Sequence, residues 1–309
     1  MILIDEDFRG SLKEKTYIAL GSFDGIHKGH LTLMNELLEK SKEKNVLSMV
    51  YTFKNHPLTI VNRSIKPKIV MSNQQKIEVL DKLGIDIVCL DEFNRELMVM
   101  QPEEFIKMLI RRFNAKGFIV GFNYRFGYKN KGDIELLKKL SYKYNFDLRV
   151  MDAYKENGEV VSSTRIRELI KLGEIEMANE LLTREFILTG KIVHGKKLGR
   201  KIGFPTANLE IEKDLVLPKI GVYYTNVEVE GKIYKGITSV GNNPTVNGDT
   251  TTVETYILNF SKDIYEKKIK LYFIEKMRQQ HKFASLDELK KQLEKDKMYA
   301  FNRKIKINL

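Results

Sequence analysis

The chain of 309 residues has one cysteine, six prolines and no tryptophan. A single cysteine closes no bridge within the chain, so a disulfide-stapled scaffold is excluded. With only 20 glycines, collagen-like and Pro/Gly-rich disordered classes are excluded too. No apolar run approaches the roughly 18 residues of a membrane-spanning helix. The start, Met1-Ile2-Leu3-Ile4-Asp5-Glu6-Asp7, lacks the basic end and apolar stretch of a secretory signal. Cys89, within Ile85–Leu90, reads as a small core residue in a reducing compartment. The expectation is a soluble cytoplasmic protein with no membrane partner.

Hydrophobic residues make up 42% of the chain, enough for sizeable cores, and its length suits two domains. The formal charge of +12 invites a nucleic-acid reading, because clustered Lys and Arg release counterions from phosphates. Its distribution argues otherwise. Residues 1–183 carry 29 basic and 26 acidic side chains, a net of +3, whereas residues 184–309 carry 24 and 15, a net of +9. A domain boundary is therefore expected between 1–183 and 184–309. No helix-turn-helix, zinc-finger or RNP pattern accompanies the charge, so no nucleic-acid partner is expected.

The first half alternates strand-like runs (Tyr17–Leu20, Val46–Phe53, Asp86–Leu90, Phe118–Gly121, Leu148–Met151) with helical spacing over His30–Lys44, Gln74–Leu83, Pro102–Phe113 and Ile134–Tyr144. Such alternation predicts a parallel sheet with helices on both faces, binding ligands at strand C-termini. The second half changes to short β-rich runs at Phe186–Val193, Val222–Val229, Lys232–Val240, Thr251–Asn259 and Lys268–Phe273. Glu230-Gly231 reads as a hairpin turn, and the whole suggests an antiparallel barrel or sandwich. A final helix is expected over Leu286–Asp296, with Ser285 and Glu288 as a capping box.

Between the first strand and first helix lies Gly21-Ser22-Phe23-Asp24-Gly25-Ile26-His27-Lys28-Gly29-His30. Glycines let backbone N–H groups approach a ligand, and a helix N-terminus favours anions. His27 and His30, three apart, would aim both rings one way. Two imidazoles beside a helix N-terminus suit a polyphosphate whose α-phosphorus is under attack. The segment resembles the H-x-G-H signature of the nucleotidylyltransferase superfamily, which moves a nucleotidyl group from a nucleoside triphosphate on a doubly wound domain.

Two later segments follow in order: Gly121-Phe122-Asn123-Tyr124-Arg125-Phe126-Gly127 with Gly132-Asp133, and Val161-Ser162-Ser163-Thr164-Arg165-Ile166-Arg167. Hydroxyls at a helix start either cap it or, with an arginine, clamp phosphate. With these three segments, the first half resembles the FMN adenylyltransferase domain of bacterial bifunctional riboflavin kinase/FAD synthetases. The resemblance implies an ATP site of Gly21, Phe23, Asp24, His27 and His30, with both histidines on the phosphates. It implies that Ser163, Thr164 and Arg167 clamp the pyrophosphate and that Asn123 lies near the flavin. Thr52-Phe53 and His56-Pro57 also echo the family, although Lys54-Asn55 between them depart from it.

In the second half, Gly190–Arg200 runs into Lys201-Ile202-Gly203-Phe204-Pro205-Thr206-Ala207-Asn208, a glycine-rich basic loop suited to a phosphate tail. Thr206 and Asn208 place oxygens two residues apart, which can hold a hard cation such as Mg²⁺. Glu254 faces away from Val253, Thr255 and Ile257; it is either an exposed strand carboxylate or the base that phosphorylating an alcohol calls for. The run Gly199–Asn208 resembles the G-R-x-x-G-F-P-T-A-N signature of riboflavin kinase, with Glu254 at its E-x-x-I-L position and Arg278 and Phe283 in its C-terminal element. The resemblance implies that Gly199, Arg200, Thr206 and Asn208 hold MgATP, that Glu254 activates the ribityl 5′-hydroxyl, and that Arg278 lies near the flavin. Asn259 and Gln280 stand where the family commonly has Asp and Glu, and altered affinity or loop stability is expected from them.

The implied fold is α/β plus β: a doubly wound, Rossmann-like nucleotidyltransferase domain, then an antiparallel riboflavin-kinase-type β-barrel with a C-terminal helix. The implied function is ATP-dependent phosphorylation of riboflavin to FMN and adenylylation of FMN to FAD, releasing pyrophosphate. One live domain with the other regulatory is the alternative. Flavins and ATP are the expected partners and Mg²⁺ the expected cofactor; no oligomeric state is implied.

Overall fold

A computed structural model describes residues 1–61, 67–195, 199, 202–245 and 248–307. The chain packs as two units, one of Met1–Pro67 and Ser72–Ser162, the other of Lys68–Met71 and Ser163–Leu309.

Short runs rich in apolar residues build the sheet of the first unit. Its strands are β1 (Ile2–Asp5), β2 (Thr16–Leu20), β3 (Leu47–Phe53), β4 (Ile87–Asp91), β5 (Ala115–Gly121) and β6 (Asp147–Met151). They lie in the order β1-β4-β3-β2-β5-β6, and every pair is parallel. β2 is buried along its whole length, as expected of a central strand covered on both faces. The helices are α1 (Lys28–Lys44), α2 (Leu58–Val61), α3 (Asn73–Lys82), α4 (Arg95–Val99), α5 (Pro102–Phe113) and α6 (Ile134–Tyr144). Phe105, Leu109 and Phe113 of α5 and Leu137 and Leu140 of α6 pack with Ile18, Met49 and Phe118 of the sheet. A hairpin of β7 (Lys155–Glu156) and β8 (Glu159–Val160) ends the unit.

From β2 the chain builds outward through β3 to β4, then returns to lay β5 against the other edge of β2. The loops after β2 and β5 therefore leave neighbouring strand ends in opposite directions, opening a crevice where such sheets bind ligands. That reversal places the Gly21 and Gly121 loops side by side.

The second unit begins with α7 (Ser163–Leu172) and α8 (Ile175–Leu182). Asn179 of α8 donates to the Phe273 carbonyl at 2.9 Å and accepts from the Phe186 N–H at 2.8 Å, which pins α8 to two strands. The strands are β9 (Phe186–Val193), β10 (Ala207–Ile211), β11 (Gly221–Val229), β12 (Lys232–Thr245), β13 (Gly248–Ile257) and β14 (Lys268–Arg278), and α9 (Leu286–Asn302) follows. All neighbours are antiparallel, and the barrel β10-β13-β12-β11-β14-β9 closes because β9 pairs with both β10 and β14. Closure decides for barrel over sandwich. Inside, the hydroxyls of Thr225, Thr238 and Thr255 form a buried chain with links of 2.8 and 3.0 Å. Glu230 and Gly231 have φ of 50° and 75°, the paired positive angles of a tight hairpin turn.

Seven elements escaped the sequence pattern: β1, β7, β8, β10, α2, α4 and α8. The capping box of α9 is half formed. Ser285 accepts from the Glu288 N–H at 3.2 Å, but the Glu288 carboxylate reaches the N–H of Ala284 rather than of Ser285.

Candidate active sites

In the first unit, the turn after β2 is tightly wound. Phe23 and Ile26 have φ of 47° and 39°, with Gly25 at 86° between them. Left-handed backbone is costly for a phenylalanine or an isoleucine, and such conformations persist only where the surroundings over-determine them. Both side chains are buried, as is Asp24. Gly21 is required because a Cβ there would sit 2.8 Å from the Phe23 ring.

His27 is the N-cap of α1, with extended backbone, and its carbonyl accepts from the N–H groups of His30 (2.7 Å) and Leu31 (2.9 Å). The His27 and His30 rings stack with centroids 3.7 Å apart and planes 18° from parallel. The Phe23 ring meets His30 edge-on at 5.3 Å. A Cβ at Gly29 would lie 3.3 Å from the His27 ring, so this glycine makes room for the imidazole. The first turn of α1 carries no acidic residue, which leaves its positive end unopposed by its own side chains. An imidazole pair over a helix N-terminus presents donors to a polyanion.

Sequence reasoning missed Lys76, on the first turn of α3. It is only 5% exposed, and its ammonium donates to the Ser22 carbonyl at 2.8 Å. Thr52, at the end of β3, donates to the same carbonyl at 3.0 Å. Burial holds the pKa of Lys76 down to about 8, against the opposing pull of Asp24. One signal was available: Lys76 lies four residues before the buried Leu80, on the helix face that should be apolar.

Along the neighbouring loop, the Tyr124 N–H donates to the Gly121 carbonyl at 3.0 Å, and Asn123 is exposed at the tip. Phe126 turns inward and is buried against Phe105, so this aromatic is structural. Gly127 has φ of 70°, and a Cβ on it would strike Pro102 at 2.7 Å. Asp133 caps α6 by accepting from the Leu136 N–H at 2.9 Å.

In the second unit, Ser163 and Thr164 open α7 and Arg167 follows within its second turn. The barrel gathers the other residues along one line of its register. Asn208 lies opposite Glu254, Glu254 opposite Ser239, Ser239 opposite Val222, and Val222 opposite Arg278. Residues directly opposite each other share a face, so Asn208, Glu254 and Arg278 point outward from the barrel together. Val253, Thr255 and Ile257 are buried on the inner face, as the alternation predicts. The Thr206 hydroxyl donates to Glu254 Oε2 at 3.1 Å. A side chain at Gly195 would collide with Asn208, and one at Gly199 with the Phe204 carbonyl. Arg200, with Lys196, Lys197 and Lys201 of the basic loop, lies outside the described residues.

Arg278 is anchored in a way its sequence position did not suggest. Its Nε donates to both oxygens of Asp296 at 3.1 Å, and its Nη2 donates to Oδ2 at 2.7 Å. Asp296 is buried on α9 and also accepts from Gln292 at 2.9 Å. Removing one partner of a buried pair strands the other charge. Asp296→Ala is therefore expected to cost about 3 kcal/mol, read as a lowered melting temperature. Of the two departures from the family pattern, Asn259 has φ of 55°, a conformation asparagine tolerates well. Gln280 donates to the Ser239 hydroxyl at 3.2 Å, a bond in which an ionised glutamate could only accept.

Comparison with known proteins bears on both units. The family profile for FAD synthetase matches residues 10–165, and that for riboflavin kinase matches residues 182–303. A bifunctional riboflavin kinase/FMN adenylyltransferase of Buchnera aphidicola is 34% identical over 92% of this chain and 93% of its own length. The Escherichia coli K12 protein of the same description is also 34% identical, covering 93% and 92%. That of Bacillus subtilis is 30% identical over the same shares. A solved Streptococcus pneumoniae structure, described as a macrolide-efflux protein, superposes with a TM-score of 0.89 at 29% identity, covering 98% of this chain and all of its own. Among the described residues of this chain, no helix is long and apolar enough to cross a membrane. Two profiles in series, and relatives aligned over nearly the whole chain, show that it belongs to the bifunctional riboflavin kinase/FMN adenylyltransferases, which phosphorylate riboflavin to FMN and adenylylate FMN to FAD.

Proposed function

We propose that the two activities divide between residues 1–183, which adenylylate FMN, and residues 184–309, which phosphorylate riboflavin. In the kinase step Glu254 accepts the proton of the ribityl 5′-hydroxyl as that oxygen attacks the γ-phosphorus of ATP, whose bond to the bridging oxygen breaks to release ADP. The observation that carries this is the Thr206–Glu254 hydrogen bond of 3.1 Å, with Asn208 in register beside the carboxylate. Base, hydroxyl and amide oxygens are thereby held within one patch of barrel wall. Arg278, fixed by Asp296, faces the flavin, and Gly199 and Arg200 complete the ATP site.

The same patch fits Mg²⁺. No group of three or more His, Cys, Asp or Glu among the described residues could cage a metal. Mg²⁺ does not ask for one, because it commonly takes one or two protein oxygens and fills its octahedron with phosphate and water. Thr206 and Asn208 are the residues we assign to it. When bound with ATP, the ion neutralises charge on the phosphates. Thr206→Val is expected to raise the Mg²⁺ concentration for half-maximal FMN formation by on the order of tenfold or more. The titration is run at fixed ATP, and an unchanged midpoint would remove Thr206 from the metal site.

For adenylylation, His27, His30 and the N-terminus of α1 hold the ATP phosphates, with Gly21, Phe23 and Asp24 shaping the turn. The phosphate of FMN is the nucleophile; its second ionisation lies near pH 6 in phosphate monoesters, so no strong base is required. Asn123 contacts the flavin. For Ser163, Thr164 and Arg167 as the pyrophosphate clamp, the support is the family resemblance alone. Both steps consume ATP, and the cytoplasm is the compartment we assign.

A further inference from the structure

We infer that Lys76 is a positioning residue for adenylylation: with Thr52, it holds the Ser22 carbonyl and so sets the turn that aims the His27–His30 pair. The inference rests on the assignment of those histidines to the adenylyltransferase site.

The physical argument runs through one peptide. The Ser22 carbonyl accepts from the Lys76 ammonium at 2.8 Å and from the Thr52 hydroxyl at 3.0 Å. The next residue, Phe23, has the left-handed φ of 47°, which a phenylalanine adopts only under constraint. Two donors on the preceding carbonyl fix the orientation of the Ser22–Phe23 peptide plane and hence supply that constraint. The Phe23 ring then meets His30 edge-on at 5.3 Å, and His30 stacks on His27 at 3.7 Å. Asp24, also buried in the turn, attracts the same ammonium. Lys76 therefore acts on the turn at Ser22 by a hydrogen bond and at Asp24 by charge, on either side of Phe23, without being placed at the substrate itself.

A buried ammonium is a poor choice for stability. Burial disfavours its charged form, which is why its pKa falls to about 8 while the unfolded chain keeps the ordinary lysine value. Between those two values the unfolded state binds the extra proton, so stability falls as pH is lowered through this window, and at neutral pH the full cost is present. A methionine of similar length would avoid that cost. The expected signature of a positioning role is thus a loss of activity without a loss of stability.

The experiment compares Lys76→Met with the parent in FMN adenylylation, riboflavin phosphorylation and thermal unfolding. The expected result is a kcat for FAD formation lower by on the order of 10²-fold, with the KM for ATP within about threefold, since charge builds on the leaving pyrophosphate only in the transition state. FMN formation is unchanged, the melting temperature at pH 7 is not lowered, and the imidazole nitrogen NMR resonances of His27 and His30 shift. A kcat within twofold of the parent overturns the inference. Should Lys76→Met fail to fold, Thr52→Val removes the other donor to the same carbonyl. A kcat loss of about tenfold there supports the inference, and an unchanged kcat overturns it. His30→Ala is run alongside. Lost FAD formation in His30→Ala with normal Lys76→Met defeats the positioning role alone, whereas normal FAD formation in His30→Ala defeats the histidine assignment beneath it.

Discussion

Glu254→Ala is expected to lower FMN formation from riboflavin by on the order of 10²–10⁴-fold, the range of a positioned general base. FAD is still made from supplied FMN. An alcohol is a weak nucleophile at neutral pH, and phosphoryl transfer leaves the protein mainly to position groups, neutralise charge and receive the hydroxyl proton. Glu254 stands on the outer wall of the barrel in line with Asn208 and, three strands further, with Arg278. Thr206 bonds one of its oxygens at 3.1 Å, which orients the carboxylate. Glu254→Gln keeps the volume and that bond but not the basicity, so a comparable loss in both variants assigns the effect to proton acceptance. Separate assays of the two half-reactions, with chromatography of the flavin products, make the measurement.

The mirror-image result is expected of His27→Ala and His30→Ala. Each lowers FAD formation from FMN by on the order of 10²–10³-fold, the cost of removing one donor aimed at developing charge. FMN formation from riboflavin is retained. The rings stack at 3.7 Å beside the first turn of α1, so losing either also leaves its partner without the contact that orients it. The single losses are therefore expected to combine less than additively in the double variant, as for residues that act as a unit. Equal loss of both activities in any of these variants, with melting temperature unchanged, contradicts the two-site assignment.

How much of this was readable in advance follows from the range of each interaction. The His27–His30 pair was legible because its partners are three residues apart and the helix sets their geometry. The alternating strands and helices of the first unit, and the inward and outward faces of β13, were legible for the same local reason. Lys76 was not, because its partner carbonyl lies 54 positions away in sequence and is a backbone atom with no residue identity to read. The Arg278–Asp296 pair joins β14 to α9 across 18 residues, beyond any helical or strand period. Barrel and sandwich could not be separated from the strands alone, since the difference is whether β9 finds a second partner in β14. β1 and β10, with four and five residues, are too short to show a period. The family motifs carried what periodicity could not: they tied Thr206, Glu254 and Arg278 to one reaction before the register brought Asn208, Glu254 and Arg278 into line.

The overall charge meant less than its distribution. The surplus belongs mostly to residues 184–309, which hold the kinase assignment, and part of it lies on the basic loop that runs into Thr206 and Asn208.

One reaction tests the central claim, that a single chain carries out both steps. Purified protein is incubated with riboflavin, excess ATP and Mg²⁺, and flavins and pyrophosphate are followed with time. FMN is expected to rise first and then to give way to FAD, with one pyrophosphate released for each FAD formed. Accumulation of FMN without FAD, or no conversion of riboflavin at all, contradicts it.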